Sequence, residues 1–467
     1  MTEALEEVAA RIWREAGGSP EHLETLTITG PRQVLPSYFD VTGLATGSVA
    51  AATLAAAEFL AARGTDGPGG GRPAGVATDS REASAAFAAE GLFTPLGWER
   101  PPAWDPIAGN YQAQDGWIRL HTNYACHRAA VGRVLGARDH DSVAAAVAAW
   151  KAEDLEAAIV AAGGCAAVMH TREAWLASPP GAATAAAPLL SLSARSTAAL
   201  PFTTSRPPDP SQPYSGIRVL DLTRVIAGPV ATRFLAAYGA DVLRVDPPGF
   251  EEVAALLPET TAGKRTTALD LAGGAGRAAF DDLVATADVL VTGLRADALD
   301  RLGYDDHALA AANPGLIIAS LDAYGWDGPW RDRRGFDSLV QMSCGIAAAG
   351  AAAGTDSPVP LPVQALDHAS GYLLAAAVGR ALTQRLTGTL VLRVRASLLG
   401  TAGLLWSLPR PQARPPRPKP GDFPLVDAMT AWGPARRVPL PGSIAGAPPR
   451  WRFEAGPLGR HAPAWLS

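Results

Sequence analysis

The stretch Ser215–Pro248, SGIRVLDLTRVIAGPVATRFLAAYGADVLRVDPP, sets the strongest constraint on the fold. An apolar run from Ile217 to Leu222 is followed by a short loop closed by Gly228 and Pro229. An Ala-rich segment with helical composition runs on to Tyr238, Gly239 stops it, and a second apolar run from Val242 to Val245 ends at Asp246. Proline suits a first helical turn and glycine the position just past a helix end. Strand, helix and strand within about 30 residues make a βαβ unit, so a parallel sheet is expected.

A chain of 467 residues can bury a large core and make two or more domains. Its 48% hydrophobic and 18% charged residues fit a globular protein. The net charge of −5 gives no reason to expect nucleic acid or an anionic membrane as a partner. Cys126, Cys165 and Cys344 lie far apart with no metal-ligand spacing, so no metal site is expected. So few cysteines fit a reducing cytosol, and the expected location is cytoplasmic. The acidic, amphipathic start, with Leu5, Val8, Ile12 and Trp13 at helical spacing, lacks the pattern of a signal peptide. The Ala-rich run Gly47–Leu60 reads as a buried helix rather than a membrane span.

Taken in order, a helix and linker come first, then a long helical segment in Leu35–Gly64 stopped by the glycine-rich loop Asp66–Pro73. No Gly-Lys-Ser/Thr follows that loop, so it is not a phosphate loop. Gly75–Thr78 reads as a short strand and Ala83–Glu90 as a helix. A turn at Asp115-Gly116 leads into an apolar strand, and two helices follow near His127–Leu135 and Asp141–Ala162. Ala194–Ser215 has linker composition, and Leu408–Pro424 is proline-rich and extended.

The Ser215–Pro248 stretch also resembles the opening of the family III CoA-transferases, the group of formyl-CoA transferase, carnitine CoA-transferase and α-methylacyl-CoA racemase. The resemblance continues through GKRTTALDL (Gly263–Leu271), ADVLVTGLRADALDRLG (Ala287–Gly303), Asn313–Asp337 and LPVQALDHASGYLLAAAVGRAL (Leu361–Leu382), in the family's order. It implies an α/β fold class: a Rossmann-like parallel sheet in a large domain, with a smaller α+β domain. The implied division is 1–104, resembling the second half of the large domain; 105–193, the smaller domain; and 194–214, a linker. Residues 215–405 then form the large CoA-binding domain, 406–435 a proline-rich linker and 436–467 the C-terminal return segment. This order is rearranged relative to the family, and Gly47–Arg63 looks like a second copy of the helix after Asp367. Family members are interlocked dimers. The chain is therefore expected either to form a homodimer or to be a fused chain that mimics the family dimer.

Asp367, in ALDHASGYLLAA, stands where the family carries its nucleophilic aspartate. A carboxylate at a helix start is stabilised in its charged form by free N–H groups and can attack a thioester carbonyl. A mere capping role is the alternative, since aspartate is a favoured cap. His368 reads as a capping or surface histidine, and Asp337 as a residue that holds its loop. The racemase branch has a histidine where this chain has Phe336, which cannot transfer a proton. By family position the CoA contacts are Arg224, Val225, Ile226, Ala227, Arg244, Leu269, Gly293, Leu294, Arg301 and Arg334. Backbone N–H groups of residues 224–227 are candidates for the thioester oxygen. Arg244, Lys264, Arg265, Arg301 and Arg334 are candidates for phosphates. Gly293-Leu294-Arg295-Ala296-Asp297 and Pro247-Pro248 depart from the family pattern. Asp40 lies seven residues before Gly47, whereas Asp367 lies four before Gly371, so one active site is expected and the first half reads as structural.

The resemblance thus implies transfer of CoA from an acyl-CoA to a carboxylic acid through an aspartyl anhydride and thioester. Acyl-CoA and the acid are its partners, and no cofactor is tightly bound. The alternatives are an acyl-CoA racemase or isomerase and a degenerate acyl-CoA binder without turnover. No Gly-x-Gly-x-x-Gly follows the first strand, which disfavours a dinucleotide dehydrogenase.

Overall fold

The βαβ unit forms as strand Arg218–Leu222, helix Ala227–Ala237 and strand Asp241–Asp246 in a computed structural model of the chain. The structure describes residues 3–64, 71–196, 209–351, 356–388, 390–412 and 415–466. Most of the glycine-rich loop at 66–73 and residues 197–208 of the expected linker lie outside the described residues. The two strands pair in parallel, Val219 opposite Val242 and Leu220 opposite Leu243.

They belong to a seven-stranded sheet. From one edge its order is Arg265–Ala268, Asp241–Asp246, Arg218–Leu222, Val289–Thr292, Ile317–Asp322, Val391–Ser397 and Leu190–Ser196. All neighbours are parallel except the last pair, where Leu192 faces Val394 across an antiparallel ladder. The inner strands are buried on both faces, as parallel strands covered by helices must be. Helices Ala227–Ala237 and Ala365–Thr387 pack against one face, and Phe280, Leu283 and Leu309 cover Leu220, Leu243 and Leu290 on the other. Leu190–Ser196 corrects the expected linker start, because the chain adds a sheet strand through Ser196 before leaving the described residues.

The helices Val41–Ala62 and Ala365–Thr387 lie against each other in the main core. Val41–Ala62 is apolar nearly all round, long and apolar enough to cross a membrane by composition, yet 89% of its most apolar window is buried inside the protein. A helix without a polar face needs apolar neighbours on every side, and this core supplies them. Asp40 starts it by accepting from the Gly43 N–H at 2.9 Å. On the partner helix, Arg380 pairs with Glu58 and donates to the Gly17 carbonyl at 2.6 Å.

Early and late segments interleave. Val76–Asp79 pairs with Leu26–Thr29 in parallel and with Ser443–Ile444 antiparallel. Thr94–Pro95 joins the hairpin Val426–Thr430 and Gly433–Arg437. Both hairpin strands lie largely inside the stretch 406–435 that composition reads as a proline-rich linker. Gly109–Gln112, Trp117–Leu120 and Ala166–Val168 form a separate small sheet packed on helices Ala125–Leu135, His140–Val147 and Ala152–Ala161. The last two replace the single helix expected over Asp141–Ala162. The Asp115 carboxylate accepts from Ala152 N–H at 2.8 Å, caps the second helix and so favours a break before it.

The sheet-facing contact between the Ala227–Ala237 and Ala365–Thr387 helices is too close for a side chain at Gly371. A Cβ there would stand 2.5 Å from the Ala227 carbonyl oxygen and 2.7 Å from Val230 Cβ. Alanine is the better helix former by about 1 kcal/mol. Gly371→Ala is nonetheless expected to lower stability by about 1–3 kcal/mol, because the clash is with fixed backbone. Urea unfolding checks this, and an unchanged or raised midpoint would show that the contact can relax.

Candidate functional site

A cleft of about 430 Å³ opens where the loops leave the C-terminal ends of the parallel strands. Its walls include Arg224, Val225, Ala227 and Gly228 after the first strand of the βαβ unit, Gly293 to Ala296 after Val289–Thr292, and Leu321 to Ala323. Arg331 and Arg333 to Phe336 add a further wall, and Asp367 lines the interior. The C-terminal edge of a parallel sheet is where open α/β folds bind ligands.

The start of the Asp367 helix explains that residue's electrostatics. Gln364 occupies the capping position without a side-chain cap, so Asp367 is not the cap. The Asp337 carboxylate accepts from the N–H groups of Leu366 at 2.8 Å and Asp367 at 3.0 Å, and from the Gln341 amide. The expectation that free helix N–H groups stabilise Asp367 as a carboxylate is therefore corrected, because Asp337 takes two of them. Asp367 is 7% exposed. Burial, then the negative neighbours Asp337 and Glu90, raise its pKa well above the ordinary aspartate value. Burial likewise raises Asp337 to about 6, against the pull of its hydrogen bonds.

His368, read as a capping or surface histidine, is fully buried, which excludes the surface alternative. Its Nε2 lies 3.0 Å from Glu90 Oε2, and its ring stacks on Phe87. Burial alone would raise Glu90, but the nearby His368 outweighs it and holds Glu90 below the usual carboxylate range. Asp40, the aspartate before the paired helix, is neutralised by Arg32 at 2.6 Å.

The loop after Arg218–Leu222 is held from beneath by buried charges. Asp221 accepts from Thr223 N at 2.9 Å, Thr232 Oγ1 at 2.6 Å and Lys264 Nζ at 2.9 Å. Burial pulls Lys264 down to about 8, with Asp221 opposing. Arg244 is fully buried and bonds both Asp246, at 2.8 and 3.1 Å, and Glu252, at 2.8 Å. Burial would raise Glu252, but Arg244 more than offsets it and keeps this carboxyl below its usual range. Val225 is the one non-glycine residue with positive φ, 64°, among the described residues. Such a β-branched backbone costs on the order of 1–3 kcal/mol and marks a constrained loop. Its N–H donates to Glu252 Oε2 at 3.3 Å, so it is not a free donor for a substrate oxygen, as the sequence suggested.

Six of the expected contact residues line the cleft with Asp367: Arg224, Val225, Ala227, Gly293, Leu294 and Arg334. Ile226, in the same loop, is buried. Arg244 is corrected, since its guanidinium is enclosed by Asp246 and Glu252. Lys264 and Arg265 are bound to Asp221 and Asp241 and are likewise not free for phosphate. Leu269 packs behind the sheet with Leu220 and Leu243, and Arg301 is exposed beside Asp297. Arg295, read only as a departure from pattern, lines the cleft instead. The Arg224 guanidinium sits 3.7 Å above the Phe250 ring.

The first half is not only structural, because Tyr124, Cys126 and His127 also line the cleft. Sequence reasoning passed over them. The signal was there: HTNYACHR is a cluster of titratable and polar groups in an Ala-rich region. His127 is buried, and burial followed by Arg334 lowers it to about 4. Burial, then Arg119 and His127, lower His121 to about 3, and its ring stacks on Phe336 at 3.6 Å. The cleft thus joins a buried carboxyl, the His127 imidazole and a row of arginines. That set suits an anionic ligand held close to a carboxyl group.

Residues 214–420 match the family model described as CoA-transferase family III. The "Probable fatty acyl-CoA transferase Rv3272" of Mycobacterium tuberculosis is 32% identical, over 45% of this chain and 58% of its own length. The succinate–glutarate CoA-transferase of Agrobacterium fabrum is 36% identical, over 38% of this chain and 48% of its own. The crystal structure of Rv3272 overlaps 41% of this chain and 56% of its own, at 34% identity and a TM-score of 0.39. The chain thus spans about half the length of these relatives.

The raised pKa of Asp367 has a consequence for stability. A carboxyl whose folded pKa lies above its unfolded value near 3.9 stabilises the fold while protonated and loses that contribution as pH rises through the folded value. At neutral pH Asp367→Asn removes this penalty and should raise the melting temperature. The gain should shrink as pH falls towards about 4. Melting curves of both proteins from acid to neutral pH test it; a variant less stable at every pH would contradict the electrostatic account.

Proposed function

We propose that this chain, whose residues 214–420 match the model described as CoA-transferase family III, moves CoA from an acyl-CoA to a carboxylic acid. The observation that carries this reading is Asp367, a carboxyl inside a cleft at the C-terminal edge of the sheet, with arginines on its walls. Arg224, Arg295 and Arg331 are the groups suited to the anionic parts of CoA, and Gly293 and Leu294 to close approach of its chain.

The ionised Asp367 attacks the thioester carbonyl, the C–S bond breaks, and CoA leaves as thiolate with a mixed aspartyl anhydride formed. The thiolate then attacks the aspartyl carbonyl, expelling the first acid as carboxylate and leaving an aspartyl-CoA thioester. The acceptor carboxylate repeats the sequence in reverse. It displaces CoA thiolate to make a second anhydride, and the thiolate takes the new acyl group, which frees Asp367. The N–H groups at the start of helix Ala227–Ala237 are candidates for the developing oxyanion, since Val225 N–H is engaged elsewhere. A racemase route has no proton-transferring group at Phe336, whose ring is stacked on His121.

Incubation with a panel of acyl-CoAs and hydroxylamine is expected to modify Asp367, detected by mass spectrometry, and to leave Asp367→Ala unmodified. An unmodified Asp367 in a protein that still binds CoA would instead support a binder without turnover.

The attack needs the ionised carboxyl. Because burial, Asp337 and Glu90 raise Asp367, the rate should rise with pH, its acid limb lying above the ordinary carboxylate range. Asp337→Asn keeps an oxygen for the helix N–H groups but removes a negative neighbour, so the limb should move to lower pH. A limb that stays where it is would exclude coupling between the two aspartates.

A further inference from the structure

Two walls of the cleft come from distant parts of the chain. One is the loop 223–228, and the other is the start of helix Ala125–Leu135, which carries Cys126 and His127. A single carboxylate touches both. Glu252 Oε1 accepts from the Tyr124 hydroxyl at 2.7 Å and from its neighbour Val253 N–H at 2.9 Å. Its Oε2 accepts from Arg244 at 2.8 Å and from Val225 N–H at 3.3 Å. The segment also grips the walls through Phe250, whose ring carries the Arg224 guanidinium at 3.7 Å and lies 5.8 Å from the Tyr124 ring.

The Glu252 side chain is almost completely buried, at 1% exposure. Burying a carboxylate is costly unless its lone pairs are used. Here Arg244 meets the charge, and Tyr124 and Val225 N–H take lone pairs that Arg244 leaves. The strained Val225 backbone needs something outside itself to hold it, and Glu252 is the side chain bonded to its N–H.

We propose that Glu252 is a positioning residue that sets the reaction geometry by tying Tyr124 on one wall to the Val225 backbone on the other. The part concerning reaction geometry rests on the transferase reading; the clamp itself does not. Glu252 acts through the loop, not on the substrate. The first half of the chain is then a working part of the cleft, because Tyr124 comes from it. Replacing either end of the clamp should loosen 223–228 while the core stays intact.

Tyr124→Phe removes one hydroxyl and keeps the ring, and Glu252→Gln keeps the shape and removes the charge. Both are made in the full chain and compared with wild type by hydrogen–deuterium exchange. The other readouts are the dissociation constant for CoA and the saturating rate of Asp367 modification by acyl-CoA. Exchange in 223–228 should rise roughly tenfold, as loss of about 1–2 kcal/mol of local hydrogen bonding implies, with helix Ala365–Thr387 unchanged. The modification rate should fall by about tenfold while CoA affinity stays within about threefold, the split expected of lost positioning. Should Glu252→Gln not fold, Tyr124→Phe alone carries the test. Exchange unchanged at 223–228, or raised equally throughout the protein, overturns the clamp. Looser 223–228 with an unchanged modification rate overturns the positioning role. Looser 223–228 in a chain whose wild type never modifies Asp367 keeps the clamp and removes the transferase reading.

Discussion

The burial of helix Ala365–Thr387 is the constraint from which the rest of the structure follows. It contacts the sheet, helix Ala227–Ala237 and helix Val41–Ala62 at once, and nearly every one of its side chains is buried. A helix enclosed to that degree cannot leave its first N–H groups to water. Asp337 reaches in from another element to satisfy two of them. That solution brings a second carboxyl beside Asp367, in a place water hardly enters. The electrostatics of the cleft are thus a by-product of how this helix start is capped.

Buried charge recurs beneath the neighbouring wall. Lys264, Asp221, Arg244, Asp246 and Glu252 form a nearly dry network under the loop 223–228. Such networks are weak arguments for stability, because desolvation offsets much of the attraction. They are better at holding one geometry, since every donor lost leaves a buried charge unmet. The strained Val225 backbone sits directly above, which is where a rigid base has most effect.

Much of this was legible along the chain. Period, turn residues and block order gave the βαβ unit, the parallel sheet and the apolar helix at Asp367, although that helix starts at Ala365 and so takes Asp367 into its first turn. The hydropathy of Gly47–Leu60 pointed to a buried helix, and Val41–Ala62 is one. Less local features were hidden. Ser193 and Ala194 lie in an antiparallel strand whose partner is some 200 residues away, and Arg244 reads as a phosphate ligand until Asp246 and Glu252 are seen around it. His368 reads as a capping or surface residue until Glu90 and Phe87 are seen to enclose it.

The sequence by itself determined which elements form, because periodicity and turn chemistry act over a few residues. Its resemblance to a known family also singled out Asp367 as the candidate nucleophile. Only the tertiary structure decided which charges remain free, which N–H groups are already used and that Tyr124, Cys126 and His127 reach the cleft. Those outcomes depend on desolvation and on partners far apart in the chain, and neither is written in any local pattern.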